Sequence, residues 1–269
     1  MTAMLNPTRT IRLRPARLHG QRGFSLIELS IAILIALFLI GGVIVVEQGV
    51  HRSYQDDSGF AQLEDEERFA MSILTQAVES AGYYPDPTAN VPNSTVLMPE
   101  TTSTPQSVSI PFAGAQSIVG IYQSASPNDS IATRFVAGPV ASVDLCTGDP
   151  TTDGVEYTSY LYVSNGSDGK PYLYCELATG GSWAASPVQL VSGIQNMQIM
   201  YGVNTSGSGS NNIQTYMFAS DVTSGGYWPA VSAVKITLTV TNPIASDPGQ
   251  QPTVTFTRVI GVMGRMGGS

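Results

Sequence analysis

From Phe24 to Val46 the chain reads FSLIELSIAILIALFLIGGVIVV, apolar throughout except for Glu28 and two serines. In hydrocarbon such a run has one stable form, a helix that satisfies its own main-chain hydrogen bonds, and it is long enough to cross a bilayer. The flanks set its direction. Arg9, Arg12, Arg14, Arg17 and Arg22 precede it with no acid among residues 1–23, while Glu47, Asp56 and Asp57 follow. Basic residues stay on the cytoplasmic side, so the N-terminus is cytoplasmic and the remainder crosses the inner membrane once, into the periplasm or beyond. An ordinary secretory signal would show a small-residue cleavage site after the apolar run, but Glu47, Gln48 and bulky residues come next. The helix is therefore expected to be retained, and the place left for a cut lies before it, at Gly23.

Of 269 residues, 42% are hydrophobic, enough for one main globular body. The formal charge of −8 conceals an asymmetry. With the five leader arginines set aside, seven basic residues face twenty acidic ones, about −13. A body this acidic is a poor match for a phosphate backbone, and no direct nucleic-acid binding is expected. Cys146 and Cys175 have no other cysteine or histidine near them in sequence, which disfavours zinc; in an exported, oxidising compartment they are expected to form a disulfide.

Residues 60–82 place Phe60, Leu63, Phe69, Ile73, Leu74, Ala77, Val78 and Ala81 mostly at three- and four-residue spacings, so the helix is expected to continue amphipathically to Gly82. Residues 83–106, rich in Pro, Thr, Ser and Asn, read as an irregular connection. Beyond them, short alternating or apolar runs at 107–112, 117–122, 131–136, 155–163, 171–178, 188–202, 213–219, 231–241 and 252–260 read as an antiparallel sheet. SNGSDGKP, residues 164–171, is a hairpin turn in which Asn165 and Asp168 act as turn formers. The expected class is α+β: a long N-terminal helix, transmembrane in its first half, packed on an antiparallel sheet. The divisions are 1–23, a leader; 24–46, the membrane helix; 47–82, its amphipathic continuation; and 83–269, a β-rich head.

The string Gly23-Phe24-Ser25-Leu26-Ile27-Glu28, behind a basic leader and opening an apolar helix, resembles the class III signal of type IV pilins and type II secretion pseudopilins. The resemblance implies that a prepilin peptidase cuts after Gly23 and that Phe24 is then N-methylated. Glu28 has a reading of its own, since a carboxylate placed in hydrocarbon normally marks function or a partner. The family implies that it meets the N-terminal ammonium of a neighbouring subunit during assembly; the plainer reading is that it snorkels to the headgroups, which can hold before assembly. Leu190 to Val203, the Gly/Ser loop after it, Trp228 to Val240, and Glu67 to Leu74 leading to Ala81-Gly82-Tyr83 resemble the PilW minor pilins. The resemblance is strongest over 23–83 and 188–241.

This implies a pilin-like fold and a minor pilin that promotes initiation and assembly of a type IV pilus, serving twitching motility and adhesion. Its partners would be the prepilin peptidase and N-methyltransferase, other minor pilins, the major pilin and the inner-membrane assembly machinery, with the head finally at the cell surface. Two alternatives are a J-type minor pseudopilin of type II secretion and a membrane-anchored surface-binding module. No enzyme, cofactor or metal is expected. The only histidines are His19 and His51, and Glu64, Asp65, Glu66 and Glu67 read as a solvated acidic face. The loop from Asn204 to Ser210 offers no carboxylate where relatives carry a calcium-like acidic loop.

Overall fold

A computed structural model describes residues 23–85, 97–105, 107–122, 128–139, 143–206, 212–245 and 249–263. The chain divides into two compact units, Met1–Tyr54 and Gln55–Ser269. One helix, α1 (Leu26–Ser80), supplies the described secondary structure of the first unit and opens the second. In the first unit its apolar side chains, from Leu26 to Val50, are exposed all round, as a bilayer-spanning helix requires. Gly41, Gly42 and Gly49 do not interrupt it.

In the second unit α1 buries a narrow face: Leu63, Ala70, Met71, Leu74, Ala77 and Val78. Phe60 and Phe69, assigned to this face by their spacing, are instead 41% and 53% exposed. The buried set is centred on Ala70 and Met71, and Phe69 stands about 100° round the helix from Ala70. The helix ends as the Ala-Gly pair suggests. Gly82 takes a positive φ of 82°, and its N–H donates to the carbonyl of Arg134, tying the helix end to a strand.

Among the described residues the rest of this unit is largely antiparallel β-structure, in three sheets rather than one. β1 (Glu100–Ser103) and β2 (Ser109–Phe112) form a ribbon. Six strands make the largest sheet: β3 (Ile118–Ile121), β4 (Ser130–Val136), β5 (Glu156–Asn165) and β6 (Pro171–Thr179) in sequence, with β7 (Ser182–Trp183) and β8 (Val188–Ser192) both on β6. Four make the next: β9 (Ile194–Val203), β10 (Thr215–Met217), β11 (Val231–Thr241) and β12 (Thr253–Gly261), in the order β10-β9-β11-β12. A short helix α2 (Ala219–Gly225) and a 3-10 turn (Trp228–Ala230) occupy the end of the segment read as a strand over 213–219 and the stretch after it. The single strand expected over 188–202 is two, because Gly193 sits at φ 78° and turns β8 on one sheet into β9 on the other. β1 falls within the stretch 83–106 read as irregular; residues 86–96 and 106 lie outside the described set.

One core joins these layers. The buried face of α1 meets Ile131, Leu161 and Leu173 of the six-stranded sheet and Met197, Ile199, Ile236 and Leu238 of the four-stranded sheet. At the join, Gly120 is a packing requirement: a Cβ there would fall inside the Tyr201 hydroxyl, which is buried and has no hydrogen-bond partner. On the other face of the six-stranded sheet, Ile110 and Phe112 of the ribbon cover Val119, Ala132 and Tyr160.

Arg134 fastens that ribbon. Its side chain is 0% exposed. Nε donates to the Gln116 carbonyl at 2.7 Å, Nη1 to the Met98 carbonyl at 2.8 Å and to Glu156 Oε1 at 3.4 Å, and Nη2 to the carbonyls of Ala113 at 3.1 Å and Leu97 at 3.4 Å. Glu100 of β1 lies 3.9 Å away, and the guanidinium stacks 4.5 Å from the Phe112 ring centre. One cation thus holds together four carbonyls from loops with no strand partner of their own.

Cys146 and Cys175 form the expected disulfide, with Cα atoms 6.3 Å apart, and it pins the segment before β5 to the middle of β6. Gln76 of α1 donates to the Asp144 carbonyl in the same segment. Two outcomes follow for the detergent-solubilised chain. Reducing the disulfide, which closes a loop of 29 residues, lowers unfolding stability by about 3 kcal/mol. Arg134→Ala costs about 3 to 5 kcal/mol in urea unfolding, because it takes the guanidinium donor from the Gln116 and Met98 carbonyls and the cation from Glu156, whereas an Arg-to-Ala change at Arg258, 43% exposed, costs under about 1 kcal/mol.

Candidate processing and assembly site

Gly23, Phe24 and Ser25 precede the helix, which begins at Leu26; the Leu29 N–H donates to the Ser25 carbonyl at its start. Gly23 has nothing within 4 Å of where a side chain would stand, and Phe24 is 82% exposed. The bond between them lies on an open, non-helical strand of chain immediately ahead of an apolar helix. A membrane peptidase needs that accessibility, since a protease binds its substrate in extended form and a helix would first have to unwind.

Glu28 occupies the first turn of α1. A negative charge there faces the positive end of the helix dipole, a modest compensation confined to one turn. No lysine or arginine follows until Arg52, so no side chain on this segment is placed to neutralise it by the three- or four-residue spacing that lets helical partners meet. Within hydrocarbon the carboxylate must therefore reach the interface or find a cation from outside the helix. The structure thus places Gly23, Phe24 and Glu28 together within two turns, and the disulfide cysteines in the other unit.

The head adds electrostatic features that sequence spacing did not disclose. Asp129 Oδ2 accepts the Ile199 N–H at 2.8 Å, while the Asp129 N–H donates to the Met197 carbonyl at 2.8 Å and Asn128 Oδ1 accepts the Met197 N–H. This two-residue segment therefore bonds the six-stranded sheet to β9 of the four-stranded one. Burial raises the Asp129 carboxyl above its ordinary value, and the Ile199 N–H partly opposes it. Glu156 is likewise raised by burial, with Arg134 pulling it back. Glu176, buried on β6, is raised by burial alone. No residue spacing signals these three.

Other expectations resolve plainly. Asp168 acts within the hairpin turn, accepting the Lys170 N–H and the Tyr172 hydroxyl, and Asn165 ends β5 opposite Pro171. Glu64 and Asp65 are exposed, but Glu67 is partly covered and lies 3.9 Å from Arg258 of β12. Of the loop Asn204 to Ser210, residues 207–210 lie outside the described set; no group of three or more His, Cys, Asp or Glu able to hold a metal occurs among the described residues.

Residues 160–260 match the family described as Type IV Pilus-assembly protein W, and residues 18–44 match the prokaryotic N-terminal methylation motif. The first match spans β6 to β12 and most of β5; the second spans the candidate cut, Phe24 and Glu28. No curated protein and no solved structure matches the chain.

The raised carboxyls give a pH dependence with a definite sign. A carboxyl whose folded-state pKa exceeds its unfolded value holds its proton more tightly when folded, so its contribution favours folding below the unfolded value and is lost as pH rises through the folded one. The urea midpoint is therefore expected to fall as pH rises above the ordinary carboxyl range, and Glu176→Gln to flatten that fall, as equilibrium unfolding at a series of pH values will check.

Proposed function

We infer, from the premise that this chain is a PilW-like type IV pilin, that it is a minor pilin which enters the pilus in few copies and helps to start the fibre. The observation that carries this reading is the join of two independent signals in one chain: a methylation motif across Gly23 and Phe24, and a PilW-like match across the β-rich head. A membrane-anchored module has no need of the first. A J-type pseudopilin shares it, and the match to the pilus-assembly family favours the pilus over secretion.

The mechanism has three steps. The chain is inserted with its basic leader in the cytoplasm and its head across the inner membrane. The prepilin peptidase hydrolyses the peptide bond after Gly23, releasing residues 1–23 and exposing the Phe24 amine, which is then methylated. The helix leaves lipid for the filament core, where the side chains from Leu26 to Val50 exchange acyl chains for neighbouring helices. Packing rather than the hydrophobic effect drives that exchange, since lipid tails are as apolar as leucine. Glu28 and the ammonium of an adjacent subunit then neutralise each other, setting axial register. Other minor pilins, the major pilin and the inner-membrane machinery are the partners. The role is structural, and it calls for no cofactor.

Intact mass of the membrane-extracted chain, from cells with and without a functional prepilin peptidase, tests the reading. The expected result is a peptidase-dependent chain that begins at Phe24 and carries a methyl group. Glu28→Ala is expected to be cut as the parent is, yet to fall at least about tenfold in sheared fibres, the scale of the charge compensation it loses. An uncut chain, or undiminished entry of the variant, would sink the proposal.

A further inference from the structure

β12 is the long unguarded edge among the described strands. β1, β3, β7 and β10 are four residues or fewer, β8 has five, and β2 carries Pro111. β12 runs nine residues, Thr253–Gly261, without proline and in unbroken register with β11. Such an edge ordinarily invites pairing and is blunted by charge, proline, a bulge or a cover.

The bonding pattern identifies the free groups. Val262 N–H donates to Ser232 and Asn242 N–H to Pro252, so in the alternating antiparallel pattern Val254, Phe256, Arg258 and Ile260 turn their main-chain groups toward β11. Thr253, Thr255, Thr257, Val259 and Gly261 turn theirs outward. Their side chains lie on the solvent face, where Val259 is 54% exposed. The one charge on the strand, Arg258, points to the helix side, toward Glu67 and Thr75. It therefore does not guard the edge.

We propose that the outward edge of β12 receives an extended strand from a different, less acidic subunit, bonded to the main chain of Thr255, Thr257 and Val259. Charge selects the occupant. A second copy would bring together two bodies that each carry seven basic against twenty acidic residues outside the leader. Beside the strand, a cavity of about 630 Å³ is lined by Ser72, Thr75, Gln76, Glu79 and Arg258 among others, and Glu79 is exposed there, in no ion pair among the described residues. The row of partner side chains on the helix side enters this cavity, and a lysine or arginine in that row pairs with Glu79. The proposal goes beyond the pilus reading but rests on it for the supply of subunits.

Hydrogen exchange on the full chain tests this, comparing protein extracted from cells with the complete pilus system and protein from cells expressing it alone. The expected result is slowing of about tenfold or more at the Thr255, Thr257 and Val259 amides in the first sample only. Thr257→Pro removes an outward N–H without touching the β11 ladder and is expected to abolish the slowing, while Thr257→Val retains it. If the proline variant fails to fold, the two parent samples still decide. Equal exchange in both overturns the proposal, as does slowing in the singly expressed chain, which would mean pairing of copies or a cover from the chain itself. Slowing in membranes of a chain never found in fibres would keep the edge contact and remove the pilus reading.

Discussion

Burial of one narrow face of α1, from Leu63 to Ala81, is the contact on which the head depends. Both larger sheets place their apolar sides against it, so removing it would open the core of each at once. The face mixes Ala70, Ala77 and Ala81 with Leu63, Val78 and, at its centre, Met71 and Leu74, and the alanines let strands approach closely. A helix of 55 residues meets two solvents along its length. Its first part pairs its main-chain groups within the helix beyond the first turn and exposes a surface that is almost all hydrocarbon, Glu28 excepted; its second part must be amphipathic, because water surrounds whatever the sheets do not cover.

Arg134 does for the ribbon what that face does for the sheets, by a different physical route. Four-residue strands bury too little apolar area to hold themselves in place, so β1 and β2 gain from a cation that collects the carbonyls of the loops around them. A buried guanidinium is costly to desolvate, and its carboxylates recover only part of that cost. The four carbonyl bonds and the Phe112 ring make the arrangement worthwhile, and they also make it specific: a hydrophobic replacement of equal size would fill the space but take from the Met98 and Gln116 carbonyls the donor that Arg134 supplies, while Leu97 and Ala113 keep main-chain donors.

How far the sequence could be read follows from which forces are local. β5, β6, β11 and β12 were legible to within a residue or two, since strict alternation between Gly/Pro-bounded turns is a local pattern. The helix through three glycines and its stop at Gly82 were legible for the same reason. The division into separate sheets was not, because it rests on one positive φ at Gly193 and on pairings between segments far apart. Phe60 and Phe69 were misassigned because spacing identifies a stripe only to within a residue's width, and tertiary packing chose the alanine side. Arg134, Asp129 and Glu176 carry no local mark at all. At the N-terminus the opposite holds: Gly23, Phe24 and Glu28 lie within six residues, inside the stretch that matches the methylation motif, and the proposal made for them rests on that local order rather than on any three-dimensional contact.

That contrast bears on how cutting and assembly are coupled in the proposed mechanism. On that proposal an uncut chain would keep its leader arginines at the cytoplasmic face, with Glu28 near enough to the headgroups to stay solvated. Cutting removes those anchors and creates a single positive charge four residues before the carboxylate. Moving such a helix into an apolar core without the amine would strand an ionised or forcibly protonated Glu28, at a cost of several kcal/mol. With it, each subunit supplies one cation and one anion, and a stack of subunits is neutral at every step. The selection of processed over unprocessed chains then requires no separate recognition event; it follows from the energy of one carboxylate in hydrocarbon.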